Sequence, residues 1–286
     1  MPIAPSTFYA HHSQGLVSQA DWDDAHLANR LLDLWNDNRS LYGAEKLWVA
    51  ALDGGLQIGR DQVGRLMGIV GIEGVRRGRQ HHTTTTVADR SAPRHPDLIK
   101  RQWNTPDRPD MWWTADFTYV WTLAGFVYVA FVTDVFSRRI LGWRVATSKT
   151  TALVLAALDQ ALFTRRRHNP TFTSAGLVHH SDAGSQYTAI SFTEALIEAK
   201  MAPSIGTVGD ALDNALQEST IGLYKTELIE HRRTRAWTGA AEVERETAGW
   251  VHWFNTTRIH LSIGRMPPVA YEEAWAARQE AQPASA

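Results

Sequence analysis

Between Asp21 and Asp37 the apolar residues Trp22, Leu27, Leu31, Leu32 and Trp35 recur at helical spacing. A second helix is expected from Ser40 onward, ending at the glycine pair Gly54 and Gly55. A third follows in GRDQVGRLMGIVGIEG, with Val63, Leu66, Met67 and Val70 on one side. Short helices joined by glycine-rich turns predict a helix-turn-helix-like unit over residues 1–75, a pattern that many small helical domains share.

The pattern changes after about residue 110. WWTADFTYVWT and GFVYVAFVTDVF are dense in aromatic and β-branched residues and predict two strands joined by a tight hairpin at Leu123-Ala124-Gly125. RRILGWRVAT reads as a third strand, and Thr150 to Phe163 as a strongly apolar helix. GLVHHSD is expected to be a short buried strand. SFTEALIEAK reads as a helix capped by Ser191, with Glu194 completing a capping box. MAPSIG supplies a fifth strand, and Asp213 to Glu230 a long helix. The order β-β-β-α-β-α-β-α predicts an α/β core with a mixed five-stranded sheet covered by helices, over residues 110–235. Residues 236–286 are expected to hold one more helix, Ala240 to Asn255, and a frayed tail.

Composition narrows the chemistry. There are no cysteines among the 286 residues, so disulfides and thiolate metal sites are excluded. Any metal must be held by carboxylates, imidazoles or water, and carboxylates favour Mg²⁺ or Mn²⁺. The N-terminal stretch lacks the basic and apolar regions of a signal peptide, and no apolar run approaches membrane-spanning length. These features predict a cytoplasmic protein. The net charge is −1, but Arg76 to Arg101 carries seven Lys/Arg against Asp89 and Asp97. Residues 76–109, rich in Thr, Arg, His and Pro with no period, are expected to form an exposed basic linker. Arg76, Arg77 and Arg79 are its candidate DNA-phosphate contacts; a solvated linker has the same composition.

Three carboxylates stand out. Asp116 sits inside the first strand, where burial is costly unless the group is paired, protonated or metal-bound. Asp182 ends the fourth strand and is followed by the small or polar Gly184, Ser185 and Gln186. With the fourth strand beside the first, the two carboxylates would repel unless a cation lay between them. Glu218 is on the long helix, one turn from Asn214 and two from Lys225 on the same face. That face is odd for a core and sensible for catalysis. Thirty-five residues separate Asp182 from Glu218.

In this spacing the chain resembles the DDE transposases and retroviral-type integrases. It is most similar to the second-reading-frame (OrfB) products of the IS-three family of bacterial insertion sequences. The matching stretches run in order through most of the chain: LYGAEKLWVAA and VGRLMG; TADFTYV and YVAFVTDVFSRRILGW; HSDAGSQY, DNALQEST and LYKTEL; and WFNTTRIH before a proline pair. The resemblance implies a ribonuclease-H-like core. It implies that Asp116, Asp182 and Glu218 are catalytic and hold Mg²⁺ or Mn²⁺, two ions in all. Two cations suit phosphodiester chemistry, in which a nucleophile is activated and a leaving oxygen stabilised. It further implies double-stranded DNA as partner (element terminal repeats and target), transfer of a 3′-hydroxyl strand, a first-reading-frame (OrfA) partner or frameshift fusion, and a dimer on DNA.

Other residues carry weaker signals. Asp134 ends the second strand within reach of Arg138 or Arg139 and reads as structural rather than metal-binding. His179 and His180 read as one core histidine and one lining the site. Lys225 is a candidate phosphate contact. Arg258 and His260, with Asn255, match the family's Asn-x-x-Arg-x-His stretch, where DNA contact and packing of the tail are both open. Ala183 and Glu45 stand where the family often has basic residues. The competing readings are another ribonuclease-H-like nuclease and a non-catalytic DNA-binding remnant that represses its element.

Overall fold

The structure is a computed structural model that describes residues 18–76, 95–100, 102–206, 215–231 and 236–281. The chain divides into two compact units, 1–76 and 77–286.

The first unit has three helices, α1 (Gln19–Asp37), α2 (Ala44–Asp53) and α3 (Arg60–Val70). Ser18 starts α1 by accepting the backbone N–H of Asp21 on its hydroxyl, which satisfies one otherwise unpaired helix donor. Leu31, Leu47, Val63 and Leu66 are fully buried and form the small core. Trp22 follows the helical period but is exposed, because the first turn of α1 extends beyond that core. Arg65 on α3 grips Asp24 on α1 with two bonds of 2.7 Å. Gly71 ends α3 at φ +69, a left-handed turn that favours glycine.

The second unit is built on strands β1 (Trp112–Thr122), β2 (Gly125–Asp134), β3 (Ile140–Ala146), β4 (Val178–Ser181) and β5 (Ala202–Ile205). Their spatial order is β3-β2-β1-β4-β5. β1, β2 and β3 pair antiparallel, whereas β4 runs parallel to β1 and β5 parallel to β4. This is the mixed five-stranded sheet expected from the sequence. Helices α4 (Thr151–His168) and α5 (Ile190–Glu198) cover one face, burying Trp113, Ala115, Val132, Leu158 and Phe192. Helix α6 (Ala215–Tyr224), a wider π-helical turn over Lys225–Glu230, and α7 (Ala240–Thr256) follow. Phe131 on β2, Tyr224 and Trp250 stack edge to face on that side. Helix α8 (Pro268–Ala281) is the last element. None of the described helices is long and apolar enough to cross a membrane.

Several expectations are corrected. The basic linker does not extend to residue 109: Ile99 is buried, and the Leu98 N–H donates to the Ser204 hydroxyl of β5 at 2.9 Å. Helix α5 begins from Ala189, so Ser191 lies inside its first turn and forms no cap. Residues 276–281, expected to fray, continue helix α8, whose upstream Glu272 is held by two arginines. Asp134 is structural as expected, but its close ion pair is with a different arginine, and Arg138 meets it only through longer-range charge. Its carboxylate accepts the N–H groups of Asp110 and Ser137 at 2.7 and 2.9 Å and faces Arg165 of α4 at 3.3 Å. Arg139 instead binds Glu272 at 2.7 Å.

Candidate active site

The site forms where β1 and β4 lie side by side. Their register aligns Ala115 with Ser181. Asp116 and Asp182, each one residue further on, therefore stand next to each other on neighbouring chains about 5 Å apart. Asp116 is part of the continuous strand, whereas Asp182 is the first residue past the end of β4. This is the strand adjacency on which the sequence argument depended.

The local chain holds both carboxylates. The Phe117 N–H donates to Asp116 Oδ1 at 2.7 Å, and the Gly184 N–H donates to Asp182 Oδ1 at 3.0 Å. Gly184 also leaves the necessary space, since a Cβ there would stand 2.9 Å from the same Asp182 oxygen. Gln186 ties the turn to the rest of the core by donating to the Lys149 carbonyl at 2.9 Å.

Electrostatics mark the pair as unusual. Burial, then the charge of Asp182 and that of Glu218, push the Asp116 carboxyl well above its ordinary range. The Phe117 N–H and Lys225 act in the opposite sense. Burial also raises Asp182, against the Gly184 N–H and His180. Lys225 is half-buried, with its ammonium 4.9 Å over the Tyr119 ring; burial lowers its pKa while Glu230 and Asp116 raise it. An acidic site whose members destabilise one another's charge fits a hard cation, the donor set that Mg²⁺ or Mn²⁺ prefers.

The three expected carboxylates are brought together unequally. Asp116 and Asp182 are neighbours, and Glu218 reaches Asp116 through its charge. Among the described residues, no three His, Asp or Glu side chains converge closely enough to form a metal-holding group. Asn214, Arg77 and Arg79 lie outside the described residues. Arg76 is exposed at the end of the first unit.

Arg258 and His260 are not at the surface. Arg258 is buried and grips Glu227 of the π-helical turn, with the shortest bond 2.6 Å. His260 is buried against Phe254, with ring centres 4.5 Å apart. Asn255 bonds both the N–H and the carbonyl of Ile140 with its amide, acting as a short extension of the β3 backbone pairing. Of the two readings open for this stretch, the fold uses tail packing, and DNA contact by buried Arg258 and His260 is corrected accordingly. His179 is a core histidine: it packs edge-on against Phe192, and burial drives its pKa down to about 3. His180 bonds the Ser204 hydroxyl at 2.9 Å and contributes charge to Asp182.

Two residues near the pair escaped the sequence reading. Gln186 has a buried, unpartnered Oε1 that a Cβ on Gly184 would approach to 3.5 Å, so it faces the Asp182 turn. Tyr187 is buried with its hydroxyl unpartnered, and burial and the charges of Asp116 and Asp182 raise its pKa well above normal. Their positions, four and five residues after Asp182, were the available signal.

Two integrase core domain models match residues 106–211 and 199–268, and an HTH-like domain model matches residues 21–80. The IS986/IS6110 insertion-element protein of Mycobacterium tuberculosis is 44% identical over 98% of both chains. The transposase for insertion sequence element IS629 of Shigella sonnei is 43% identical, over 96% of this chain and 89% of that one. The HTLV-2 integrase catalytic core domain in complex with magnesium aligns at 14% identity and TM-score 0.45, covering 58% of this chain and 98% of that one. A helix-turn-helix-like unit joined to an integrase core of ribonuclease-H-like topology, with near-full-length identity to insertion-element transposases, places the chain in the IS-three family of insertion-sequence transposases, within the DDE transposase and integrase superfamily.

Proposed function

We propose that the protein cuts DNA at the ends of its insertion element and joins the freed 3′-hydroxyl strand to target DNA. The observation that carries this reading is the β1–β4 register, which sets Asp116 beside Asp182 in a site where neither carboxyl ionises easily. Asp116, Asp182 and Glu218 would hold Mg²⁺ or Mn²⁺, two ions in the full site. Bound divalent cations supply an activated nucleophile and a stabilised leaving oxygen at a phosphodiester.

The chain's own residues do the rest. The strand position of Asp116 and its bond from Phe117 fix one carboxylate, and the Gly184 N–H fixes the other. Fixed ligands keep the reacting groups aligned, which counts heavily when the reaction is mostly positioning and charge stabilisation. Lys225 is a positive charge beside the pair and is placed to meet a DNA phosphate as a point charge. The HTH-like unit and Arg76 are expected to contact DNA. Recognition of element ends draws on a first-reading-frame partner or fusion, and joining two ends requires at least a dimer on DNA.

The test is cleavage and strand joining on DNA carrying the element's ends, with the frameshift-fused protein and Mg²⁺. Wild type is compared with Asp182→Asn. Loss of both reactions in the variant, with DNA binding retained, is the expected result. Equal cutting by both proteins removes Asp182 from catalysis. If neither cuts while both bind, the chain is a DNA-binding remnant.

A further inference from the structure

The hairpin between β1 and β2 carries an exposed aromatic cluster that the site described above does not use. Trp121 is 63% exposed, Phe126 49%, and Leu123, in the turn between them, 73%. Large apolar side chains grouped in the open usually mark a contact surface. Trp121 and Phe126 are direct cross-strand partners, with ring centres 4.9 Å apart at 72°. Phe126 also meets Tyr119 edge-on at 5.4 Å.

The cluster is connected to the carboxylate site. Lys225 lies over the Tyr119 ring and shares an electrostatic interaction with Asp116. A chain of neighbours thus runs from Asp116 through Lys225, Tyr119 and Phe126 to Trp121. Asp116 and Trp121 are five residues apart on one strand, or about 17 Å. That is roughly the length of five nucleotides at ~3.4 Å each along a DNA strand. The odd separation sends the two side chains to opposite faces of the strand, and Lys225, which meets both Asp116 and the Tyr119 ring, is what links the two positions.

The hairpin is also built to hold its shape. The Thr122 hydroxyl donates to the Gly125 carbonyl at 2.7 Å, and Gly125 takes φ +105, a turn conformation that glycine adopts freely. The Leu123 N–H donates to the Trp237 carbonyl at 2.8 Å, joining the tip to the segment before α7. A preset aromatic pair loses little freedom on meeting a flat partner. The tip is too small for a stable protein interface, which takes about 20–30 residues a side. A base is a flat partner of matching size, and the neighbouring ammonium suits the phosphate that accompanies it.

We propose that Trp121 and Phe126 form a stacking platform for an unpaired DNA base about five nucleotides from the reacting phosphate. The inference rests on the DNA strand-transfer reading above and assigns the hairpin a partner: single-stranded or locally opened DNA. Duplex bases are stacked on each other and offer no free face, so opened DNA is the preferred ligand.

The test uses the full chain without divalent cation, so it does not depend on cleavage. The probe is a single-stranded oligonucleotide of element-end sequence carrying 2-aminopurine, compared with the same sequence as a blunt duplex. Wild type is expected to quench the 2-aminopurine and to bind the single strand about 10-fold more tightly than Trp121→Ala or Phe126→Ala. Trp121→Phe keeps a ring and is expected to restore most of the binding. Both side chains are largely exposed, so the alanine variants should keep the fold, and circular dichroism checks this. Equal affinity and unchanged fluorescence in Trp121→Ala overturn the proposal. So does a shift of Trp121→Ala from dimer to monomer in sedimentation without DNA, which would assign the tip to a second copy of the chain. Quenching without Mg²⁺-dependent cleavage would leave the hairpin assignment standing and reject the strand-transfer reading. Cleavage without quenching would do the reverse.

Discussion

The Gly184 N–H donates to Asp182 Oδ1 at 3.0 Å, and a methyl group on the same glycine would stand 2.9 Å from that oxygen. One residue therefore both holds the carboxylate and keeps clear the space in front of it.

Replacing this glycine tests how strictly the carboxylate must be placed. Gly184→Ala is expected to displace the Asp182 side chain and to lower cleavage and joining by about 100-fold, the usual cost of a shift near 1 Å at a reacting centre. The melting temperature should change little, because the group that must move is a single side chain, that of Asp182. Full activity in Gly184→Ala would mean that Asp182 works from another rotamer.

The charge of Asp116 has an opposite effect on folding and on catalysis. Burial and the neighbouring acids raise its folded pKa above the unfolded value. A raised acid favours folding at pH below the unfolded value, near 4, and that contribution is lost as pH rises through the folded pKa. The cation-free protein should thus lose stability as pH climbs from about 4 toward neutrality. Asp116→Asn is expected to remove part of this loss, raising the neutral-pH melting temperature by about 1–4 °C while abolishing cleavage. Mg²⁺ should stabilise wild type more than the variant, as metal binding displaces the proton. Thermal melts at several pH values, with and without Mg²⁺, decide the matter; a variant less stable than wild type at neutral pH counts against it.

Arg258 belongs to the core, and its substitution should say so. Arg258→Ala leaves Glu227 buried without its partner, an outcome that costs about 3–5 kcal/mol. Denaturant unfolding is expected to report that loss. DNA affinity of the folded fraction, and its salt dependence, should match wild type. A reduced salt slope with unchanged stability would instead restore Arg258 to the DNA surface.

The clasp of α8 makes an acid-sensitive prediction. Despite burial, Arg165 and Arg139 hold the Glu272 pKa down to about 2, whereas burial raises its neighbour Asp134 to about 6. Glu272 takes three arginine bonds of 2.7 Å, while Asp134 meets Arg165 only at 3.3 Å, so the two acids of one network shift oppositely. The depressed Glu272 contributes stability above its unfolded pKa near 4.5, lost as pH falls toward 2. Asp134 contributes below about 4, lost as pH rises through 6. Glu272→Gln is expected to lower stability by about 3–5 kcal/mol at neutral pH, and to flatten the acid limb of the pH–stability curve. An unchanged acid limb would place the proton uptake elsewhere.

A further substitution probes the packing behind the site. A Cβ on Gly142 of β3 would overlap the Ala157 carbonyl of α4 and come within 2.8 Å of the Ala161 N–H. Gly142→Ala should destabilise by about 1–3 kcal/mol, as overpacking of a close helix–strand contact does. Chemical denaturation measures this directly, and a neutral result would show that α4 can move away.

Much of the fold was legible because local periodicity is a property of the sequence alone. The strong β-branched and aromatic runs specify β1 and β2, and the Asp-to-Glu spacing with its surrounding stretches carries the family resemblance by itself. Boundaries that depend on distant partners were not legible. Nothing local in AARQEA shows that it continues a helix whose upstream Glu272 is clasped by Arg139 and Arg165, so the stretch reads as frayed although residues 276–281 are helical. Ser191 and Glu194 have the spacing of a capping box, but α5 begins from Ala189. Arg258 carries a charge that in sequence suits DNA equally well, and only Glu227 on a helix thirty-one residues earlier buries it.

The sequence by itself determined which residues are acidic, how far apart they lie along the chain, and which segments prefer strand or helix, because those follow from side-chain chemistry and short-range geometry. Tertiary structure decided which of them meet. The parallel β1–β4 register sets Asp116 beside Asp182 across sixty-six residues of sequence, and the antiparallel β1–β2 pairing sets Trp121 against Phe126 at the exposed end of the hairpin. Register is a long-range choice made by the burial of both sheet faces, and no local pattern encodes the partner strand.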